Sequence, residues 1–102
     1  MSARVDQFQA LVAAQPDNQL FRFSLAQALI AAERTVEAGV HLQACVDQKT
    51  DWMMPRILLG KILLSAGETD RARPLLASAL QLAIDQDHDD PAEELRALLA
   101  GL

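Results

Sequence analysis

Apolar residues recur along this chain at helical spacing, in six stretches separated by short polar breaks. In the first stretch Val5, Phe8, Leu11 and Val12 fall on one stripe, and Pro16 ends it. Later stretches carry Leu and Ala at the same three- and four-residue steps, which is typical of helices that bury one face. The pattern predicts helices at about 3–15, 19–32, 36–48, 52–66, 70–84 and 91–102.

Short polar residues that precede these stretches predict the N-caps of three helices. Asp17 or Asn18 is expected to cap the second helix, and Asp51 the fourth. For the last helix, the expected cap is Asp89 or Asp90. The dominance of Ala and Leu, with 4% aromatic residues and no Tyr, also favours helix over strand. The predicted fold class is therefore all-α.

The second and third stretches repeat in the fourth and fifth at one fixed offset, which is the distance along the chain from Leu25 to Leu59. Large residues match large ones and small residues match small ones, as stacked helical hairpins require in order to interdigitate. The matching pairs are Leu25 with Leu59, Ala26 with Gly60, Leu29 with Leu63, Ala38 with Ala72, Leu42 with Leu76, and Cys45 with Ala79.

This offset, with the ordered pattern Leu59-Gly60, Leu63, Gly67, Ala72, Leu76, Ala79, resembles the tetratricopeptide repeat (TPR) family, whose unit is about 34 residues long. The resemblance implies an α-solenoid of TPR hairpins with about six antiparallel helices. It implies one TPR domain over 1–102, divided into an N-terminal half repeat at 3–18, full repeats at 19–52 and 53–86, and a capping helix at 90–102. The aromatic residue that the family favours early in its first helix is replaced by Arg22 in one copy and Arg56 in the other.

Gly60 tests the predicted hairpin without reference to any family. A glycine in the middle of a helix costs about 1 kcal/mol relative to alanine. It is expected there because a larger side chain would collide with the neighbouring helix. On this argument Gly60→Val lowers the melting temperature clearly, whereas Gly60→Ala has a mild effect.

Charge and targeting signals narrow the classes of partner. Acidic residues outnumber basic ones 14 to 9, giving a net charge of −5, which argues against nucleic acid as a partner. No apolar stretch reaches the length of a signal-peptide core or of a membrane span. The single cysteine, Cys45, excludes an internal disulfide and favours a reducing compartment. We therefore expect a cytoplasmic protein without a membrane partner.

Two groups of residues invite a metal or thiol interpretation. His41 and Cys45 lie four residues apart on one helical face and could be two metal ligands or a thiolate–imidazole pair. The alternative is that Cys45 is a small core residue, as its match with Ala79 suggests. The stretch 85–90 begins like an EF-hand loop, but Asp90 and Arg96 stand where that loop needs Gly and Glu. We expect neither group to hold a metal.

The remaining polar and glycine residues predict neither a catalytic site nor a cofactor. The serines have no histidine in register, and the four glycines are too dispersed to form a phosphate-binding loop. The sequence therefore predicts a protein that is not an enzyme.

The resemblance implies that the first helix of each repeat lines a concave, mostly apolar face that binds a peptide or helix. The expected inward residues of the first repeat are Leu20, Phe23, Gln27 and Ile30. Those of the second repeat are Met54, Ile57, Leu58, Lys61 and Leu64. With Lys61 as the only cation among them, the TPR subclass that grips a chaperone's terminal carboxylate with a basic clamp is disfavoured.

Two alternatives to partner binding stay open. The last helix of the chain could cover this face. The chain could instead form a homodimer through the face or through its terminal helices, since arrays that lack capping repeats expose apolar ends.

Overall fold

The computed structural model describes residues 2–102, which form helices joined by short turns, with no strand in this range. Helix bounds agree with the predicted ones to within two residues at either end. The helices are α1 (Ala3–Ala14), α2 (Gln19–Ala31), α3 (Thr35–Gln48), α4 (Met53–Ser65), α5 (Thr69–Asp85) and α6 (Asp89–Ala100). The prediction of an all-α fold with six helices is confirmed over the described residues.

The chain divides into two compact units, of which the first ends at Thr50 and the second spans Asp51–Leu102. In the first unit α2 packs against both α1 and α3. In the second unit α5 packs against both α4 and α6. Short connections join the packed neighbours, so consecutive helices within a unit run antiparallel.

The helix bounds and turns follow the sequence repeat. Helices α2 and α4 begin at equivalent positions of the repeat and also end at equivalent positions. Each is closed by a residue with a left-handed backbone, Glu33 (φ 61°) or Gly67 (φ 79°). The next amide, of Arg34 or Glu68, donates to the carbonyl of Leu29 or Leu63 at 2.8 Å in both units. The two hairpins therefore share one turn, a Schellman-type helix end.

This shared turn makes Glu33→Gly a stabilising substitution. A left-handed backbone costs a residue with a side chain about 1–2 kcal/mol, whereas glycine adopts it freely. After the greater entropy of glycine in the unfolded chain is subtracted, we expect the free energy of unfolding to rise by about 0.5–1 kcal/mol. Urea unfolding followed by circular dichroism measures the change. Gly67→Ala is the matched reverse substitution and should destabilise by about 1 kcal/mol; a destabilised Glu33→Gly variant would contradict the argument.

The core of each unit is built from the residues that the repeat pairs with each other. In the first unit Leu25, Leu29 and Leu42 are buried around Ala26 and Ala38, and their counterparts in the second unit are buried as well. Cys45 is fully buried, and so is its counterpart Ala79. The core interpretation of Cys45 is confirmed.

The N-terminal caps are only partly as predicted. Asn18 caps α2, with its Oδ1 accepting the Phe21 amide at 3.1 Å. The prediction for Asp51 is wrong, because Trp52 occupies the N-cap position of α4 and makes no side-chain cap. The prediction for Asp89 and Asp90 is also wrong, because both lie inside the first turn of α6. At these positions their carboxylates still interact favourably with the positive end of the α6 dipole.

Gly60 lies where α4 approaches α5 closely. A Cβ atom built on Gly60 would be 2.5 Å from Cδ2 and 2.7 Å from Cγ of Leu76, which is fully buried. The close helix contact predicted at Gly60 is therefore present. Since even a methyl group collides with Leu76, the expectation that Gly60→Ala is mild needs revision.

Arg22 and Arg56, which replace the expected aromatic residues, make polar contacts from the first helix to the second. Arg22 Nη1 lies 3.3 Å from His41 Nδ1, and Arg22 Nη2 donates to the Pro16 carbonyl at 2.9 Å. Arg56 Nη1 donates to Ser78 Oγ at 2.9 Å. Equivalent arginines thus connect α2 with α3 and α4 with α5.

Candidate functional site

Helix α4 exposes a row of four side chains, which we call the α4 face: Met54, Leu58, Lys61 and Ser65. The row follows from helical spacing, because steps of four, three and four residues return to the same side of a helix. The opposite side carries the core residues Leu59 and Leu63. Met54 is 40% exposed and Leu58 is half-buried, so apolar surface is accessible in the first two turns of the row.

Lys61 on the α4 face is held by the last helix. Its Nζ donates to Glu94 Oε1 of α6 at 2.5 Å, and both side chains remain about half exposed. This contact brings the exposed side of α6 beside the α4 face. Because Met54 stays 40% exposed, α6 borders the face and does not cover that residue.

Helix α2 exposes the equivalent row, which we call the α2 face: Leu20, Ser24, Gln27 and Ala31. Each member is the repeat counterpart of a member of the α4 face. Leu20 is 69% exposed, the most exposed leucine among the large apolar side chains. Past Leu20 the row carries small or polar residues, so the α2 face is less apolar than the α4 face.

The other predicted contact residues lie beside these rows or below them. Phe23, Ile30 and Leu64 are half-buried. Ile57 is only 6% exposed and belongs to the core of the second unit, which leaves little of it for a partner.

Three members of the two faces, Ser24, Ala31 and Ser65, are not among the predicted contact residues. The repeat pattern contains the signal for Ser24, which is the counterpart of Leu58 in the preceding repeat. The helical period contains the signal for Ser65, which lies two helical turns after Leu58.

The unit that carries the α4 face is acidic. From Asp51 onward the chain has nine acidic and five basic residues, a net charge of −4, against −1 for the residues before it. Four of these acids, at 89, 90, 93 and 94, lie in the first two turns of α6. Asp90 precedes Glu94 by four residues, so both lie on the same side of α6.

His41 and Cys45 do not contact each other as a metal-ligating or thiolate–imidazole pair would. His41 Nδ1 faces the Arg22 guanidinium, which can only donate, so Nδ1 is the acceptor. Cys45 Sγ lies 3.9 Å from the Gln19 carbonyl. Burial raises the pKa of the Cys45 thiol above its usual value, which keeps it protonated and unreactive near neutral pH.

His41 is expected to make stability depend on pH. Burial, with the Arg22 charge as a second cause, lowers the pKa of His41 below its ordinary 6.5, and Glu37 opposes this only in part. Between the lowered pKa of His41 in the folded chain and its ordinary pKa in the unfolded chain, the folded chain binds fewer protons. Stability therefore falls as the pH drops below about 6.5. Urea unfolding at several pH values from neutral downward measures this slope. His41→Gln should flatten the slope in that window, and an equal slope in both proteins would contradict the assignment.

The described residues offer no metal site and no membrane span. No group of three or more His, Cys, Asp or Glu side chains is placed to hold a metal ion in the range 2–102. The acidic stretch 85–90 instead forms the end of α5, a turn and the start of α6. Over the same range none of the helices is both long and apolar enough to cross a membrane.

Comparison with known proteins agrees with the repeat architecture. A family model described as "Tetratricopeptide repeat" matches residues 1–80. The TPR repeat-containing protein PA0015 of Pseudomonas aeruginosa is 29% identical over 98 residues, which are 96% of this chain and 93% of that protein. The solution structure of protein BPP2914 from Bordetella parapertussis is similar with a TM-score of 0.78 and 29% identity, over 98% of this chain and 87% of that one. With more than half of its length matched by the family model, this chain belongs to the tetratricopeptide repeat family.

Proposed function

We propose that this chain is a non-catalytic protein–protein interaction module that binds a peptide or helix on the α2 and α4 faces. TPR domains generally bind proteins. In the family's arrangement the first helices of the repeats line the concave groove, and this is the binding mode that we propose here. The reducing environment that suits a single buried cysteine supports a cytoplasmic location.

One observation carries the proposal. Leu20 and Met54 occupy the same position of the two repeats, and both are exposed, at 69% and 40%. A single exposed leucine is ordinary on a protein surface. Recurrence of large apolar side chains at one position of consecutive repeats is better explained by a surface that a partner covers.

A double substitution on the two faces tests the proposal. Leu20→Ser with Leu58→Ser should abolish capture of partner proteins from a host lysate, because it removes the apolar contacts of both faces. Both residues are exposed or half-buried, so circular dichroism should show an intact fold.

The matched control replaces two exposed apolar residues that lie on neither face. Val36 and Val40 of α3 are 84% and 66% exposed. The double variant Val36→Ser with Val40→Ser should capture the same proteins as the parent. If the two double variants behave alike, the α2 and α4 faces are not the binding surface.

Homodimerisation is the alternative use of the same apolar surface. Light scattering after size-exclusion chromatography separates the two functions. If the chain is monomeric at all concentrations, homodimerisation is excluded. If it is a dimer and the face variant is a monomer, a second copy of the chain covers the faces.

A further inference from the structure

Acidic residues of α6 lie beside the α4 face. Glu94 reaches Lys61, and Asp90 lies one helical turn before Glu94 on the same side of α6. Asp90 makes no ion pair with any residue in the part of the chain that the structure describes.

The charges of this surface do not cancel. Lys61 is the only charged member of the α4 face, and Glu94 neutralises it. The remaining charge of α6 is still negative, because Asp89, Asp90 and Glu93 are all exposed and Arg96 is the one cation of this helix. An incoming Lys or Arg is therefore attracted here, and an incoming carboxylate is repelled.

We propose, on the basis of the function proposed above, that the α4 face binds a cationic amphipathic segment of a partner protein. The apolar side chains of that segment lie on Met54 and Leu58, where the flexible thioether of Met54 adapts to their shape. Its Lys or Arg side chains lie beside Asp90, with their aliphatic stems on the apolar surface and their charged ends at its carboxylate. Anionic lipid and nucleic acid are both repelled by the acidic residues of α6.

Two synthetic peptides of one helical design test whether the α4 face prefers a cationic segment to an anionic one. Both carry Leu at helical spacing and a fluorescent label, and they differ only in having Lys or Glu at every polar position. In fluorescence anisotropy the Lys peptide should bind at least about tenfold more tightly than the Glu peptide. Its affinity should fall several-fold when salt is raised from about 0.05 to 0.3 M, because these carboxylates are exposed and screened.

Matched acidic variants test where the Lys peptide binds. Asp90→Asn with Glu94→Gln should weaken it about tenfold, because the Asp90 charge is lost and Lys61 loses the carboxylate that neutralises it. Glu68→Gln with Asp70→Asn removes the same number of charges from exposed residues of the same unit, at the start of α5. This control should change the affinity by less than about twofold.

The possible outcomes test separately whether the face prefers cationic segments and whether the α4 face is the binding site. Equal losses in the two double variants mean that bulk charge drives binding, and they overturn the inference. A Glu peptide that binds as tightly as the Lys peptide, or no binding of either, also overturns it. If the Glu peptide binds as tightly as the Lys peptide and Leu58→Ser abolishes its binding, the proposed function stands while the cationic preference is wrong. If Leu58→Ser leaves the Lys peptide bound as before, the α4 face is not the site and both fail.

Discussion

Gly60→Val is expected to lower the free energy of unfolding by about 2–4 kcal/mol, because it overpacks the contact between α4 and α5. The first added carbon already falls 2.5 Å from Leu76 Cδ2 and 2.7 Å from its Cγ. Leu76 is fully buried and cannot turn into solvent. The two methyl groups of valine enlarge the collision, so the helices must separate.

Gly60→Ala should also destabilise, by about 1–2 kcal/mol, although alanine by itself favours a helix by about 1 kcal/mol over glycine. Urea unfolding followed by Trp52 fluorescence suits both variants, since the tryptophan lies at the start of the second unit. Gly101→Ala is the matched control. A Cβ on Gly101 meets only the Leu98 and Ala97 carbonyl oxygens, at 3.6 and 3.9 Å, so stability should hardly change.

A double-mutant cycle identifies Leu76 as the cause. In a Leu76→Ala background the collision is gone, so Gly60→Ala should no longer destabilise and should gain from helix propensity. If Gly60→Ala lowered the free energy of unfolding equally in that background, Leu76 would not be the reason that position 60 requires glycine.

Leu25→Ala is expected to destabilise by about 2–5 kcal/mol, the cost of lost burial plus a cavity in the first unit. Leu25 is 1% exposed and lies on the side of α2 that holds Leu29 and Ala28 in the core. The tryptophan lies outside this unit, so circular dichroism at the helical minimum is the appropriate measurement.

Leu20→Ala is the same substitution at an earlier position of the same helix. Since Leu20 is 69% exposed, we expect its effect on stability to stay within about 0.5 kcal/mol. Comparing the two variants distinguishes the exposed side of α2 from its buried side. If Leu20→Ala destabilised as much as Leu25→Ala, the assignment of the α2 face would be wrong.

Local sequence was sufficient for the helices and for most of the core. Helical periodicity marks which side of each segment is apolar, and the repeat offset aligns Leu25 with Leu59 and Cys45 with Ala79, all of which are buried. The caps failed where several polar residues compete near a helix start. At Asp51 and at Asp89 and Asp90 the pattern locates a helix start, but the N-cap lies one or two residues away, so none of these aspartates occupies it.

The exposed faces were only partly predictable, because exposure depends on what packs beside a helix. Ile57 and Leu58 are adjacent apolar residues of one helix, yet Ile57 is in the core and Leu58 is half-buried. The contact between Lys61 and Glu94 joins residues 33 positions apart, and only the packing of α6 brings them together.

The sequence alone thus determined the six helices, their repeat and the residues that fill the core, because periodicity and side-chain size are local properties of the chain. Tertiary structure decided that Leu76 leaves no room for a side chain at position 60. It also decided that α6 brings Glu94 to Lys61 and acidic residues to the edge of the α4 face. Such contacts depend on how closely packed helices approach one another, which neither propensity nor periodicity encodes.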